Sequence, residues 1–120
     1  MKAITKYFVG YSIEISHSVD NVKEHAHEHS VEVNMMISIG GKMATNWIEG
    51  IDALIRKEVM FYDEAYLNEH EEFGGNATIE NLAEVLYERI VRLLEPKGVI
   101  LHRLSIGETP LRQYIITDRT

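Results

Sequence analysis

The stretch that decides the fold is residues 27–39, which read HEHSVEVNMMISI. Its odd positions are apolar from residue 31 onward: Val31, Val33, Met35, Ile37 and Ile39. Polar residues occupy most of the even positions. This alternation is typical of a β-strand with one buried face, because successive side chains of a strand point to opposite sides. His27 and His29 continue the apolar face of the predicted strand.

A second strand with the same alternation precedes this stretch and ends at His17. Its odd positions include Val9, Tyr11, Ile13 and Ile15. The polar segment 18–26 lets the chain reverse between the two strands. We therefore predict a long hairpin of two strands, from about Ala3 to His17 and from His27 to Ile39, with Gly40-Gly41 ending the second. The end of the first strand then meets the start of the second, so His17, His27 and His29 converge on one face.

Three converging neutral imidazoles and an open fourth position are the ligand set of a catalytic zinc ion. Two residues at positions i and i+2 of a strand lie roughly 6.5–7 Å apart at the backbone, so their imidazoles can reach one ion. Histidines without a partner on a buried face would be costly, which favours a metal site over a polar, His-rich turn. From the residues alone, His25 and His27 are an alternative second pair.

Length, charge and cysteine content exclude several classes of protein. The 120 residues suffice for one domain, spanning 1–120, and the net charge of −7 argues against nucleic acid or an anionic membrane as partner. The chain contains no cysteine, which excludes disulfides, thiolate metal sites and a cysteine nucleophile. The start of the sequence lacks the apolar core of a signal peptide, and no stretch has the length of a membrane span. We expect a cytoplasmic protein.

The rest of the chain predicts two helices and two strands. The helices are Trp47–Val59, with Asn46 and Glu49 as a capping box, and a second one that begins after Thr78 and is stopped by Pro96-Lys97-Gly98. The strands are Val99–Ile106 and Arg112–Thr117. This order predicts an α+β fold with a four-stranded antiparallel sheet and both helices on one face. Long strands leave exposed edges that closure into a ring would protect, so we expect a homo-oligomer.

Five short motifs are spread over the chain. They are His17, the pair His27-x-His29, Asp63 followed by Tyr66-Leu67-Asn68, the run Thr78-x-Glu80-Asn81-Leu82-Ala83, and Ile106-Gly107-Glu108-Thr109. Together they resemble the 6-pyruvoyl-tetrahydropterin synthase and 6-carboxytetrahydropterin synthase family over essentially the whole length. The resemblance implies the tunnelling fold (ββααββ) in an oligomeric barrel, a homohexamer, and a small pterin substrate.

The resemblance also implies roles for individual residues. Zn²⁺ would be bound by His17, His27 and His29, since Ser30 and the alternation after it match the family when His29 is the second member of the pair. Glu108 of the Glu-Thr pair, with Thr109 beside it, would anchor the pterin ring, because a carboxylate can accept two parallel N–H bonds from the amino-pyrimidine edge. The alternative for Glu108 is a surface carboxylate in a turn.

Three departures from the family pattern bear on the reaction, and the first concerns the usual cysteine. The usual cysteine, four residues before the His-x-His pair, is Lys23 here, but Glu24 matches a variant subgroup with glutamate three residues before the pair. That subgroup resembles enzymes that cleave dihydroneopterin-type side chains to 6-hydroxymethyl-7,8-dihydropterin, a precursor of folate-like cofactors. Glu24 would act as general base or acid at a zinc-bound diol. The alternative for Glu24 is a solvated charge in a turn.

The second departure concerns proton transfer. The family's Asp-His pair reads Asp63-Glu64 here, so either Glu64 or His70 would take the place of the missing histidine beside Asp63, or the proton relay differs from that of the family. The glycine between the two metal histidines is replaced by Glu28. His102 is interpreted as a core histidine or one that supports a ligand, and the acidic run 69–72 as a solvated loop.

The sequence therefore predicts a zinc-dependent pterin lyase with Glu24, Asp63 and Glu64 as catalytic residues. Two alternatives stay open. One is a synthase that makes 6-pyruvoyl- or 6-carboxy-tetrahydropterin, against which the absence of cysteine argues. The other is a catalytically silent oligomer that binds a pterin, a purine or a metal.

Overall fold

The computed structural model describes residues 6–40 and 46–117, and it has the predicted α+β architecture. Its strands are β1 (Tyr7–His17), β2 (His27–Ile39), β3 (Ala65–Tyr66), β4 (Val99–Thr109) and β5 (Arg112–Thr117), and its helices are α1 (Trp47–Met60) and α2 (Ile79–Leu94). Short 3₁₀ turns cover Lys23–His25, Leu67–Glu69, Glu71–Phe73 and Glu95–Lys97. Neither α-helix in these two ranges is long and apolar enough to cross a membrane.

The hairpin of β1 and β2 has the predicted register. The two strands pair antiparallel from Tyr7 opposite Ile37 to His17 opposite His27. The odd residues face the core, and those in the middle of the hairpin, such as Ile13 and Val33, are almost fully buried. The predicted start near Ala3 lies outside the described residues, and so does Gly41, whereas β2 ends at Ile39 as predicted.

The sheet has five strands, in the order β3-β1-β2-β4-β5, and not the predicted four. The added strand, β3, pairs parallel to β1 through Ile15–Ala65 and Ser16–Tyr66. With only two residues, β3 is too short to show an alternation of apolar and polar positions. The prediction of a purely antiparallel sheet is therefore wrong at this one edge.

Both helices pack on one face of the sheet, as predicted. It is the face that carries the odd residues of the hairpin. Helix α2 packs against β4 and β5, and α1 packs against β1 and α2. Ile55 of α1 and Leu86 of α2 have no exposed surface, in one cluster with the buried residues of the hairpin. Each such side chain contributes about 1.5–3 kcal/mol when it leaves water, so this layer holds the sheet in place.

The two helix starts differ in their capping. The Thr78 side chain accepts a hydrogen bond from the Asn81 backbone N–H at 3.1 Å and so caps α2, as predicted. Asn46 makes no side-chain capping bond, so the predicted capping box at α1 is wrong. The backbone of Asn46, at φ −111° and ψ 30°, lies outside the extended region from which a cap side chain normally reaches back.

Strand β4 continues to Thr109, three residues beyond the predicted end, so Glu108 lies in a strand and not in a turn. The pairing of β4 with β5 is irregular between Ile106 and Thr109. A Cβ atom at Gly107 would lie 2.4 Å from the Arg112 carbonyl oxygen, so only glycine permits this close approach. The irregularity places Glu108 at the end of the sheet that carries the histidines.

Candidate functional site

Two of the predicted zinc ligands lie side by side at the end of the hairpin. The ring centroids of His17 and His29 are 4.9 Å apart, with the ring planes inclined by 52°. Both side chains are partly buried. The pair forms because His29 is opposite Ile15 in the register, so it is the diagonal neighbour of His17 on the same face.

Each of these two rings is held through its Nδ1 atom. His17 Nδ1 lies 2.7 Å from the Ala77 carbonyl oxygen, and His29 Nδ1 contacts Oε1 of Glu108. A carbonyl and a carboxylate can only accept, so Nδ1 carries the proton in both rings. In the neutral ring, Nε2 then keeps its lone pair, which is the arrangement found in metal-binding histidines.

The histidine pair fits a zinc ion. With Zn–N bonds of about 2 Å and tetrahedral angles, two ligating imidazoles have centroids about 5 Å apart, close to the separation of these rings. His27, the third predicted ligand, is exposed on β2 opposite His17. Within residues 6–40 and 46–117, no three His, Cys, Asp or Glu side chains form a group that could hold a metal ion. The structure therefore brings two of the three predicted ligands together.

His25, the alternative ligand, lies outside β2 in the turn Lys23–His25. Its Nδ1 atom is 2.5 Å from Oδ2 of Asp20. The hydrogen bond from His25, together with one from the Val22 backbone, lowers the pKa of Asp20. The His25 side chain is therefore bonded within the connection between β1 and β2.

Glu24 is exposed in the same turn. The turn is fastened on both sides of it, since Lys23 Nζ lies 3.3 Å from Glu69 Oε1 and His25 contacts Asp20. Among the described residues, no hydrogen bond or ion pair engages the Glu24 carboxylate itself. Its carboxylate is therefore available to a ligand but is not oriented by a neighbour.

Asp63 and Glu64 do not join the histidines within one chain. Asp63 Oδ1 accepts a hydrogen bond from the Glu14 backbone N–H at 2.9 Å. Glu64, whose φ is 63°, lines a concavity of about 350 Å³ together with Glu14 and Glu28. Those two glutamates belong to the even positions of the hairpin, so this concavity opens on the face of the sheet opposite to the histidines.

The acidic run 69–72 is not a solvated loop throughout, and that prediction is wrong for His70 and Glu72. The Tyr62 hydroxyl donates to Glu72 Oε2 at 2.5 Å, and Arg89 Nη2 lies 3.2 Å from the same oxygen. The His70 ring packs 5.4 Å from the Tyr62 ring. Burial alone would raise the pKa of Glu72, but the Tyr62 hydrogen bond and the charges of His70 and Arg89 outweigh it and lower that pKa.

His102 does not support the histidine pair. Its Nε2 atom lies 2.5 Å from the Ser38 hydroxyl, beside the irregularity between β2 and β4. Ser38 follows His29 by nine residues on β2, a distance of about 30 Å along a strand. His102 is a partly buried histidine bonded locally to serine.

A pocket of about 490 Å³ adjoins Glu108 and Thr109. Its other walls combine apolar and charged side chains: Ile79, Ile106, Leu111 and Tyr114, with Glu80 and Arg112. The sequence interpretation gave a binding role to Glu108 and Thr109 but not to these walls, which come from the start of α2, from β4, from β5 and from the turn before β5. The Glu108 side chain is half exposed, at 50%, so its carboxylate can face the pocket while it contacts His29.

The sequence profile of the 6-pyruvoyl tetrahydropterin synthase family matches residues 7–119. The chain belongs to the 6-pyruvoyl tetrahydropterin synthase family. It is therefore a member of a family of pterin enzymes, and the histidine pair, Glu108 and the pocket all lie within the matched residues. A comparison with curated proteins finds no match.

Solved structures share the fold of this 6-pyruvoyl tetrahydropterin synthase family member at low identity. The Caenorhabditis elegans 6-pyruvoyl tetrahydropterin synthase has a TM-score of 0.72 at 14% identity, with 96% of each chain covered. An uncharacterized protein from Wolinella succinogenes has 0.63 at 14%, covering 97% of this chain and 100% of that one. A Plasmodium vivax 6-pyruvoyltetrahydropterin synthase, in which alanine replaces a glutamate described as catalytic, has 0.59 at 13%, covering 99% and 100%.

Proposed function

We propose that the protein is a zinc-dependent lyase that cleaves the side chain of dihydroneopterin, or of its phosphate, to 6-hydroxymethyl-7,8-dihydropterin. The family supports a pterin substrate. The observation that carries the proposal is the contact between Glu108 and His29, since it joins the histidine pair to the pocket. The carboxylate that would bind the pterin ring and the histidines that would bind the metal are therefore close enough to contact one substrate molecule.

Zinc would be held by His17, His27 and His29. The Nδ1 contacts of His17 and His29 support this ligand set, because they leave Nε2 as the metal-binding atom of the neutral ring. His27 extends from the same face of β2, opposite His17. Zinc would supply Lewis-acid chemistry, lowering the pKa of the side-chain hydroxyls of the substrate.

Glu108 would anchor the pterin ring, with Thr109 beside it. A carboxylate has about four lone-pair sites, enough to accept two N–H groups of the amino-pyrimidine edge. Apolar walls at Ile106 and Tyr114 would cover the ring and exclude water from it.

Glu24 would move the proton of the substrate hydroxyl. Its free carboxylate supports this role, and so does the Plasmodium vivax relative, in which a glutamate is described as a catalytic residue. A positioned carboxylate contributes roughly 10²–10⁴-fold to such a step.

Asp63 and Glu64 would assist in the site of a neighbouring subunit, because within one chain they lie away from the histidines. We propose a homohexamer on this ground and on the edge strands β3 and β5. The commitment of Asp63 to the β1 backbone favours one alternative, a protein that binds a pterin without converting it. A synthase of 6-pyruvoyl- or 6-carboxy-tetrahydropterin is the alternative within the family.

The test is to incubate the zinc-loaded protein with dihydroneopterin and its phosphates and to identify the products by fluorescence after oxidation. We expect 6-hydroxymethyl-7,8-dihydropterin. Formation of a 6-pyruvoyl or 6-carboxy product would favour a synthase, and binding without conversion would favour the silent protein.

Two variants separate the proposed roles. Glu24→Ala should bind zinc and pterin nearly normally but turn over slower by roughly 10²–10⁴. Glu108→Ala should lose pterin affinity, because the N–H groups of the pterin ring would lose their charged acceptor, and such a loss costs several kcal/mol of binding free energy. Glu32→Ala, an exposed glutamate of β2 outside the site, is the matched control and should behave as the wild type. Full activity of Glu24→Ala would exclude its role and make Asp63, Glu64 or His70 the candidate base.

A further inference from the structure

We propose that Glu108 is also a positioning residue for His29: its carboxylate holds the ring in the tautomer that a metal ligand needs, and so joins the ligand pocket to the metal-binding end of the hairpin. This inference rests on the proposed zinc site. It gives Glu108 a second role besides contact with the pterin.

The geometry follows from the end of the sheet. The ladder between β2 and β4 ends at the pair Glu32–Gly107. Glu108 is the next residue of β4, and its side chain crosses to His29, three residues before Glu32 on β2. The close approach of Arg112 to Gly107 fixes the backbone just before Glu108.

The two neighbouring rings are held by different kinds of acceptor. His17 is held by the Ala77 carbonyl, a backbone group whose position depends on the segment before α2. His29 is held by a side chain that also lines the pocket. Of these two rings, His29 is therefore the one whose tautomer a single side-chain substitution can release, and His17 serves as an internal control.

One carboxylate can serve both roles at once. Glu108 offers about four lone-pair sites, of which the His29 N–H needs one and a two-donor ring edge needs two. Acceptors of this kind on the far nitrogen of a ligating histidine orient the ring and raise its basicity, and their loss typically costs 10–100-fold in metal affinity.

The first experiment measures the tautomers directly in the metal-free, full-length protein at pH 8, by two-bond ¹H–¹⁵N correlation spectra of the histidine rings. We expect the Nδ1–H form at both His17 and His29. In Glu108→Ala, His29 should shift toward the Nε2–H form while His17 stays unchanged, and Glu32→Ala should change neither ring. An Nε2–H form of His29 in the wild type, or an unchanged His29 in Glu108→Ala, would overturn the inference.

The second experiment measures zinc affinity by chelator competition without any pterin. Glu108→Ala should bind zinc about 10–100-fold more weakly than wild type. Glu108→Gln should regain the tautomer and part of the affinity, because the amide oxygen accepts the same N–H. Wild-type protein that binds no zinc would overturn the proposed function and this inference together. Wild-type protein that binds zinc, with Glu108→Ala equally tight, would overturn the inference alone.

Discussion

His25 and His29 are four residues apart, and their Nδ1 atoms meet different partners. His25 contacts Asp20 within the connection, whereas His29 contacts Glu108 beside the pocket. In the wild type we expect one zinc per chain, measured by elemental analysis of untagged protein after zinc reconstitution. His25→Ala should keep nearly all of the metal and His29→Ala should lose most of it.

The reverse result for these two variants would shift the metal-binding pair by two residues, to His25 and His27. A zinc content well below one per chain in the wild type would exclude the site altogether. His102→Ala is a further control, because its only described bond is to Ser38, at the far end of β2.

The sequence predicted which face of the hairpin carries His17 and His29, because alternation depends only on the two-residue period of a strand. It could not predict that the Glu72 carboxylate is bonded by two side chains. That arrangement needs Tyr62 after α1 and Arg89 on α2 to meet one carboxylate, and such a meeting depends on tertiary packing. The sequence also could not predict that Glu64 lies away from the histidines, because this separation follows from the pairing of β3 with β1.

The start of the connection between β1 and β2 is held by the amide side chain of Asn68. Asn68 Oδ1 accepts from the Ser18 backbone N–H at 2.9 Å, and its Nδ2 donates to the Ser18 carbonyl at 2.8 Å and to Asn21 Oδ1 at 2.7 Å. Ser18 is buried, and its hydroxyl is also bonded to the Tyr66 hydroxyl at 2.7 Å. Asn68 thus does for Ser18 what a neighbouring strand would do.

Asn68→Ala should lower the free energy of unfolding by about 1–3 kcal/mol, because it leaves the buried Ser18 backbone groups without partners. Urea denaturation measures this change. Asn21→Gly is the matched control, since it keeps both bonds to the Ser18 backbone and removes only the two Asn21 side-chain bonds, to Asn68 Nδ2 and to the Gly75 carbonyl oxygen. Glycine also adopts the φ of 61° at this position without strain. This control should cost less than Asn68→Ala, and equal losses would contradict the role given to Asn68.

Glu72 connects α2 with the segment after α1 through Arg89 and Tyr62. Its pKa is lowered from 4.5 in the folded chain, so below that value the unfolded chain binds more protons. Stability should therefore rise with pH in this range and be lost as the pH falls through the folded pKa. Denaturation of Glu72→Gln should show a weaker pH dependence below about 4.5 than the wild type. Glu71→Gln, an exposed neighbour, should keep the wild-type slope.

The observed boundaries of the strands and helices agree with the predicted ones where the hydrophobic periodicity of the sequence is long. Strand β2 and strand β5 have the predicted bounds, and α1 is one residue longer than predicted. The extension of β4 to Thr109 was not predicted, because Gly107 in a strand pattern normally indicates an end or a bulge. Here the glycine is required by the approach of the Arg112 carbonyl.

At the scale of the whole molecule, the sheet ends in the edge strands β3 and β5. Ile115 of β5 is 47% exposed, and Leu111 just before β5 is 96% exposed. Apolar side chains at a sheet edge favour pairing with another copy. Light scattering should give a homohexamer, and Ile115→Lys should shift it toward smaller species. A stable monomer of 13.8 kDa would contradict this expectation.

The ladder of β1 and β2 closes at the pair His17–His27, next to the connection 18–26. Pairs at the end of a ladder open locally at little cost, whereas those beside the core open only when the whole chain unfolds. Because His17 and His29 belong to different strands, an ion shared by them would cross-link the hairpin where it frays most easily. Amide hydrogen exchange at residues 27–30 should then slow when zinc is added, while exchange at residues 33–37 stays the same. A metal ion in this position would stabilise the end of the hairpin against local opening, in addition to its role in the reaction.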